Sequence, residues 1–174
     1  MSMLYTSTIA AIATPLGRGG IGIVKLSGKN SVMIAETIFK RSGQSTSRTK
    51  KTERVAPIPL DSHHLYYGHI IDPDSKKNLD EVLLTVMLAP NSYTREDIVE
   101  INAHSGPVVL RAILDLVIKM GARLAAPGEF TKRAYLNGRI DLTQAEAVID
   151  IINAKTIKSL ELATAQIKGE LKQE

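Results

Sequence analysis

Glu100, Asn102 and His104 occupy alternate positions of the run Asp97 to His104, which reads as a β-strand. Alternation sets these three side chains on one face and Val99, Ile101 and Ala103 on the other. A carboxylate, a carboxamide and an imidazole in a row can hydrogen-bond a polar ligand, although such a row is most often a strand's solvent side. Lys25 lies on a second strand, Ile21 to Ser27, sharing a face with Ile21 and Ile23. Taken alone, a lysine there is a side chain snorkelling past a sheet edge. Three more cations, Lys132, Arg133 and Arg139, follow within one short stretch. Lys132 and Arg133 sit in a predicted helix, where neighbours diverge by about 100° and at least one must face water. Arg139 stands outside that helix, after Gly138.

Other constellations fail on spacing. Gly17-Arg18-Gly19-Gly20 could cradle an anion, but three glycines between two strands usually make a tight turn. Ser27-Gly28-Lys29-Asn30 superficially looks like a phosphate-binding loop. The residue five before Gly28 is Ile23 rather than Gly, and Lys29 is followed by Asn30 rather than Ser or Thr, so the match fails. His63, His64, His69 and His104 lack metal-ligand spacing, and His63 and His64 would point to opposite faces of a strand. No Ser/His/Asp arrangement is supported. The absence of cysteine excludes disulfides, thiolate metal sites and a cysteine nucleophile.

The elements that position these residues are marked by period and punctuation. Thr8 to Thr14 and Ile21 to Ser27 read as strands, and Ser31 to Lys40 has helical spacing at Val32, Ala35, Ile38 and Phe39. Leu65 to Ile71 and Glu81 to Leu88 read as hairpin arms around an Asp/Pro/Ser turn at 72–77. Pro107 to Met120 is an apolar helix stopped by Gly121. This order is not a simple βα repeat, so the spacing predicts an α+β fold. Pro127-Gly128 then opens a short helix near Glu129 that should end at a left-handed Gly138. Asp141 offers its side chain to the next helix, with Gln144 three residues later as in a capping box. Leu142, Ala145, Val148, Ile149 and Ile152 form one apolar stripe. Asn153 to Thr156 breaks the run, and Thr156 and Ser159 can cap a second helix towards Leu171. Two such helices cannot bury their stripes alone, so the chain is expected to end partway through a larger helical domain.

The chain has 174 residues, long enough to bury roughly 70% of its unfolded surface as one domain with an appendage. Aromatic residues make up only 4%, without tryptophan, so the core must be aliphatic and a stacking platform for single-stranded nucleic acid is disfavoured. Net charge is +4, and the segment 41–54 carries the whole excess: Arg41, Arg48, Lys50, Lys51 and Arg54 against Glu53. That segment is rich in Ser and Thr and has no apolar period, which predicts a mobile, solvated loop, with an RNA-contacting arm as the alternative. No signal-peptide pattern and no membrane-length apolar run is present, which predicts a soluble protein of the cytoplasm or an organelle matrix.

Three stretches together resemble a known family. The string from Pro127-Gly-Glu-Phe to Ala145-Glu-Ala-Val148 resembles the signature of the bacterial and organellar tRNA-modification GTPases called MnmE or TrmE. Ser92-Tyr-Thr-Arg-Glu-Asp97 and His104-Ser-Gly106 resemble that family's Ser-(Phe/Tyr)-Thr-Gly-Glu-Asp and His-Gly-Gly, with Arg95 and Ser105 in place of glycines. The loop Gly17 to Gly20 and the strand bearing Lys25 fit as well.

The resemblance implies an N-terminal folate-binding and dimerisation domain over 1–138, similar to the folate domain of aminomethyltransferases. The start of a helical domain follows over 139–174. It implies folate-binding roles for Glu100, Lys25 (the family usually has Arg) and Arg139 (often Lys), with Arg18, Gly19 and Gly20 lining the pocket. A pterin's 2-amino-4-oxo edge presents two N–H donors side by side, which one carboxylate can accept. Which cation meets which folate group stays open. The implied ligand is a tetrahydrofolate derivative, 5-formyl- or 5,10-methylene-tetrahydrofolate. The implied partners are a second copy of the chain, the flavin protein MnmG and tRNA, whose wobble uridine the family modifies at C5. GTP, with magnesium and potassium, belongs to a GTPase domain these residues lack, so this chain alone is expected to bind rather than catalyse. Two rival readings remain: a dimerising scaffold with a vestigial pocket, and a tRNA-binding module built on the basic loop.

Overall fold

The computed structural model describes residues 7–15, 17, 19–42 and 60–168. They fall into two compact units: residues up to Ser92 with Glu96–Ala125, and Tyr93–Arg95 with the chain from Ala126 onward.

The first unit is a seven-stranded sheet carrying two helices. The strands are β1 (Ile9–Ile12), β2 (Ile21–Ser27), β3 (Phe39–Arg41), β4 (His64–Ile71), β5 (Asn78–Met87), β6 (Ile98–His104) and β7 (Arg123–Leu124). Their order is β3-β4-β5-β6-β2-β1-β7. All neighbours are antiparallel except β1 and β7, which makes the sheet mixed and the fold α+β.

The period of two decides the faces. Val24 and Leu26 of β2, Val82, Leu84 and Val86 of β5, and Val99 and Ile101 of β6 are all buried. Against them pack α1 (Ser31–Ile38), through Ile34, Ala35 and Ile38, and α2 (Pro107–Lys119), through Leu110, Ile113 and Val117. Each fully buried aliphatic side chain of this size contributes about 1.5–3 kcal/mol relative to exposure, so an aliphatic core is sufficient here. Tyr66 is the one aromatic among the buried residues described.

Two short strands differ from the sequence expectation. The helix predicted over Ser31 to Lys40 stops at Ile38, because Phe39 turns extended and starts β3, which hydrogen-bonds the open edge of β4. β7 is only two residues long and is held by β1, a long-range pairing that no local pattern announces. The hairpin arms start earlier than expected, at His64 and Asn78. The predicted mobile basic loop lies outside the described residues, apart from Arg41 and Ser42.

The second unit contains α3 (Glu129–Leu136), α4 (Leu142–Asn153) and α5 (Ile157–Lys168). Its boundaries follow the local signals. Gly138 takes a φ of 70°, a left-handed conformation in which a Cβ is costly. At α4 the capping box is complete: Gln144 N donates to Asp141 Oδ1 at 2.9 Å and Asp141 N donates to Gln144 Oε1 at 3.0 Å. Ser159 N donates to Thr156 Oγ1 at 3.1 Å, as the cap signal before α5 requires. On α3, Lys132 faces solvent and Arg133 is buried, its Nη2 3.1 Å from Glu129 Oε1. The predicted stripe on α4 is largely uncovered: Leu142, Ile149 and Ile152 are exposed, and Ala147 is the buried residue of that helix. Among the described residues no helix is long and apolar enough to cross a membrane.

Candidate functional site

The antiparallel register of β2 and β6 sets Lys25 directly opposite Glu100, Ile23 opposite Asn102 and Ile21 opposite His104. On the far side of β6, β5 sets Leu83 opposite Asn102 and Thr85 opposite Glu100. The face away from the helices therefore carries a polar row bordered by aliphatic side chains. Lys25 Nζ lies 3.1 Å from Glu100 Oε1, with the two side chains 18% and 27% exposed. The lysine is thus a cross-strand partner of the carboxylate rather than a chain passing a sheet edge. Among the described residues Oε2 of Glu100 meets no partner. Each carboxylate oxygen also has two acceptor positions, so the group keeps room for further donors.

The rest of the row is more committed. His104 is pinned to Asp80, through Nδ1 to Oδ1 at 2.8 Å and through its backbone N to Oδ2 at 2.8 Å. Asn102 Nδ2 donates to the carbonyl of Leu83 at 3.2 Å. Ile21 and Leu83 remain exposed on either side. Such a face suits a flat ring with N–H donors on its edge: the aliphatic side chains take the ring and the carboxylate takes the donors.

The glycine loop is tied to the end of β6. Gly19 N donates to Ser105 Oγ at 2.7 Å, and that hydroxyl donates back to Gly19 O. Ser105, where the resemblance expects glycine, is therefore a brace for this loop. Gly20 is exposed, and Arg18 lies outside the described residues. Arg139 belongs to the second unit. It is exposed, and its guanidinium stands 5.0 Å over the ring of Tyr93, whose hydroxyl shares a 3.0 Å hydrogen bond with Thr131. The turn before it is stitched to the same segment. Arg95 Nη1 donates to Asn137 O at 3.2 Å, and Asn137 Nδ2 donates to Thr94 O at 2.6 Å. Lys25 and Glu100 are thus brought together, and Arg139 is held in place within its own unit. Tyr93 under Arg139 and Ser105 on Gly19 are partners that sequence reasoning did not assign, because both are long-range contacts. Among the described residues, no three His, Asp or Glu side chains are grouped to hold a metal ion.

A sequence profile described as GTP-binding protein TrmE N-terminus matches residues 8–139. The tRNA modification GTPase MnmE of Streptococcus agalactiae serotype Ia is 53% identical over 165 residues, covering 95% of this chain and 33% of that protein. That of Streptococcus pyogenes serotype M4 is 55% identical over 166 residues, with coverage of 95% and 33%. The chain spans about a third of the length of these curated relatives.

Proposed function

The chain belongs to the family of TrmE N-termini, and on that premise we propose that it binds a reduced folate as part of a tRNA-modification GTPase. Lys25 and Glu100 are its ligands on the sheet. The observation that carries this reading is the Lys25–Glu100 pair, with carboxylate oxygen to spare and the aliphatic Ile23 and Leu83 flanking the next position of the row. Paired donors on a pterin edge match one carboxylate, and the neighbouring lysine orients that carboxylate. Bound tetrahydrofolate supplies a one-carbon unit; the residues here hold and orient it. In the whole protein, GTP with magnesium and potassium, tRNA and the flavin protein MnmG complete the activity, the product being a substituted C5 of the wobble uridine.

Titration calorimetry with 5-formyl-tetrahydrofolate tests the assignment. Glu100→Ala should cost on the order of 2 kcal/mol of binding, the usual scale for a charged hydrogen-bonded pair. Unchanged affinity removes Glu100 from the site. The resemblance also gives Arg139 a role in folate binding, which its own variants test. Arg139→Ala should therefore weaken binding much more than Lys132→Ala, with thermal stability nearly unchanged, and equal binding by the two variants removes its role.

The same sheet face supports self-association. Leu65, Tyr67 and Leu83 are exposed together on its β4–β5 side, an apolar grouping that water does not favour. A homodimer should persist at about tens of micromolar in sedimentation, the range of weak stable pairs, and a mass of one chain there contradicts it.

A further inference from the structure

Asn102 is the one member of the polar row with a fixed amide and an unused acceptor. The carbonyl of Leu83 can only accept, so the atom facing it at 3.2 Å must be the N–H donor Nδ2. Oδ1 is thereby turned the other way, and among the described residues it meets no donor. Asn102 lies two residues beyond Glu100 on the same face of β6, about 7 Å along the strand. Ile23 stands opposite it on one side and Leu83 on the other. The face therefore offers two acceptor groups in line, both oriented by neighbours, with aliphatic walls between which a ring can lie.

We propose that Asn102 is a specificity-determining residue that selects the reduced over the oxidised pterin ring, by accepting a hydrogen bond from N8–H. This rests on the folate reading of the Lys25–Glu100 pair. A tetrahydropterin substituted at N5, as in the 5-formyl compound, carries donors at the 2-amino group, at N3 and at N8. In folic acid N8 bears a lone pair and no hydrogen. With Glu100 taking N3–H and one 2-amino hydrogen, N8–H is the ring N–H left for the next acceptor along β6. The reduced ring satisfies Oδ1. The oxidised ring sets two acceptors against each other and leaves both without a donor, the more costly way to lose a hydrogen bond. Lys25 cannot make this distinction, because it is engaged with Glu100 and is a donor itself.

The test is calorimetry on the full chain with 5-formyl-tetrahydrofolate, folic acid and the 8-deaza analogue of the reduced compound. The wild type should prefer the reduced folate to folic acid by about tenfold, the scale of one mismatched hydrogen bond, and should bind the 8-deaza analogue about tenfold more weakly than its parent. Asn102→Leu should lose most of that preference while still binding. The 8-deaza comparison needs no substitution, so it decides the matter even if that variant folds poorly. Equal affinity for reduced and 8-deaza ligands, or an undiminished preference in Asn102→Leu, overturns the role of Asn102 alone. Failure of the wild type to bind any of the three overturns the folate reading with it.

Discussion

The sheet unit and the α4–α5 pair place the same kinds of side chain in opposite ways. In the sheet, alternate residues of β2, β5 and β6 disappear beneath α1 and α2, and Ile101 has no exposure at all. In the helix pair the buried positions are Ala147 and Ala163, while Leu142, Ile149, Ile152, Ile157 and Leu162 face outward. Both regions have well-defined element boundaries. The difference shows that caps and stop signals fix where an element begins and ends, and burial fixes how much its apolar residues stabilise. A candidate site on β2 and β6 therefore rests on a rigid platform.

The largest expected effect opposes one residue from each region. Ile101→Ala should lower unfolding free energy by about 2–5 kcal/mol, the range for emptying a core site, whereas Ile152→Ala, 76% exposed, should stay within about 0.5 kcal/mol. Urea unfolding of the two variants gives both numbers, and similar losses would erase the contrast. Next comes the far edge of the sheet. A Cβ added at Gly68 would lie 2.3 Å from the Lys40 carbonyl oxygen and 2.6 Å from the Phe39 ring. Gly68→Ala should thus cost about 1–3 kcal/mol, the overpacking range, and an unshifted urea midpoint would mean β3 is not seated on β4.

A smaller effect is expected at the helix pair. Asp141→Ala removes the capping box and should cost about 1 kcal/mol. Amide exchange should speed up in the first turn of α4 and leave β2 and β6 untouched; acceleration in the sheet would mean the two regions unfold as one. The smallest effect concerns pH. The Asp72 carboxyl is held below its ordinary value of 3.8, first by the Asp74 N–H, then by the Ser75 hydroxyl and by Lys119. A carboxyl with a depressed folded pKa contributes stability above its unfolded value and loses it as pH falls through the folded one. Asp72→Asn should therefore slightly flatten the acid limb of the stability curve, and an identical limb would contradict the turn's hydrogen bonds.

Much of this was legible because it is local. Asp141 with Gln144, Gly138 after α3, and the alternation of Glu100, Asn102 and His104 each need only a few neighbouring residues to be read. What stayed hidden depends on register between distant strands. Lys25 alone reads as a snorkelling chain; only the pairing of β2 with β6 makes it the partner of Glu100. β3 and β7 are likewise made by the edges they join. The two glycine departures also make sense only in three dimensions. Arg95 accepts a φ of 57° and braces Asn137, and Ser105 holds Gly19.

A reduced folate bound on the open face of β2 and β6, as proposed, must perturb the backbone amides of both strands. Amide chemical-shift mapping during a 5-formyl-tetrahydrofolate titration tests it most directly. A reduced folate on this face gives saturable shifts centred on Ile23 to Leu26 and Val99 to Ala103, and Glu100→Ala moves the titration midpoint to about thirtyfold higher ligand concentration. Saturable binding that leaves both strands unshifted, or an unchanged midpoint in Glu100→Ala, would contradict it.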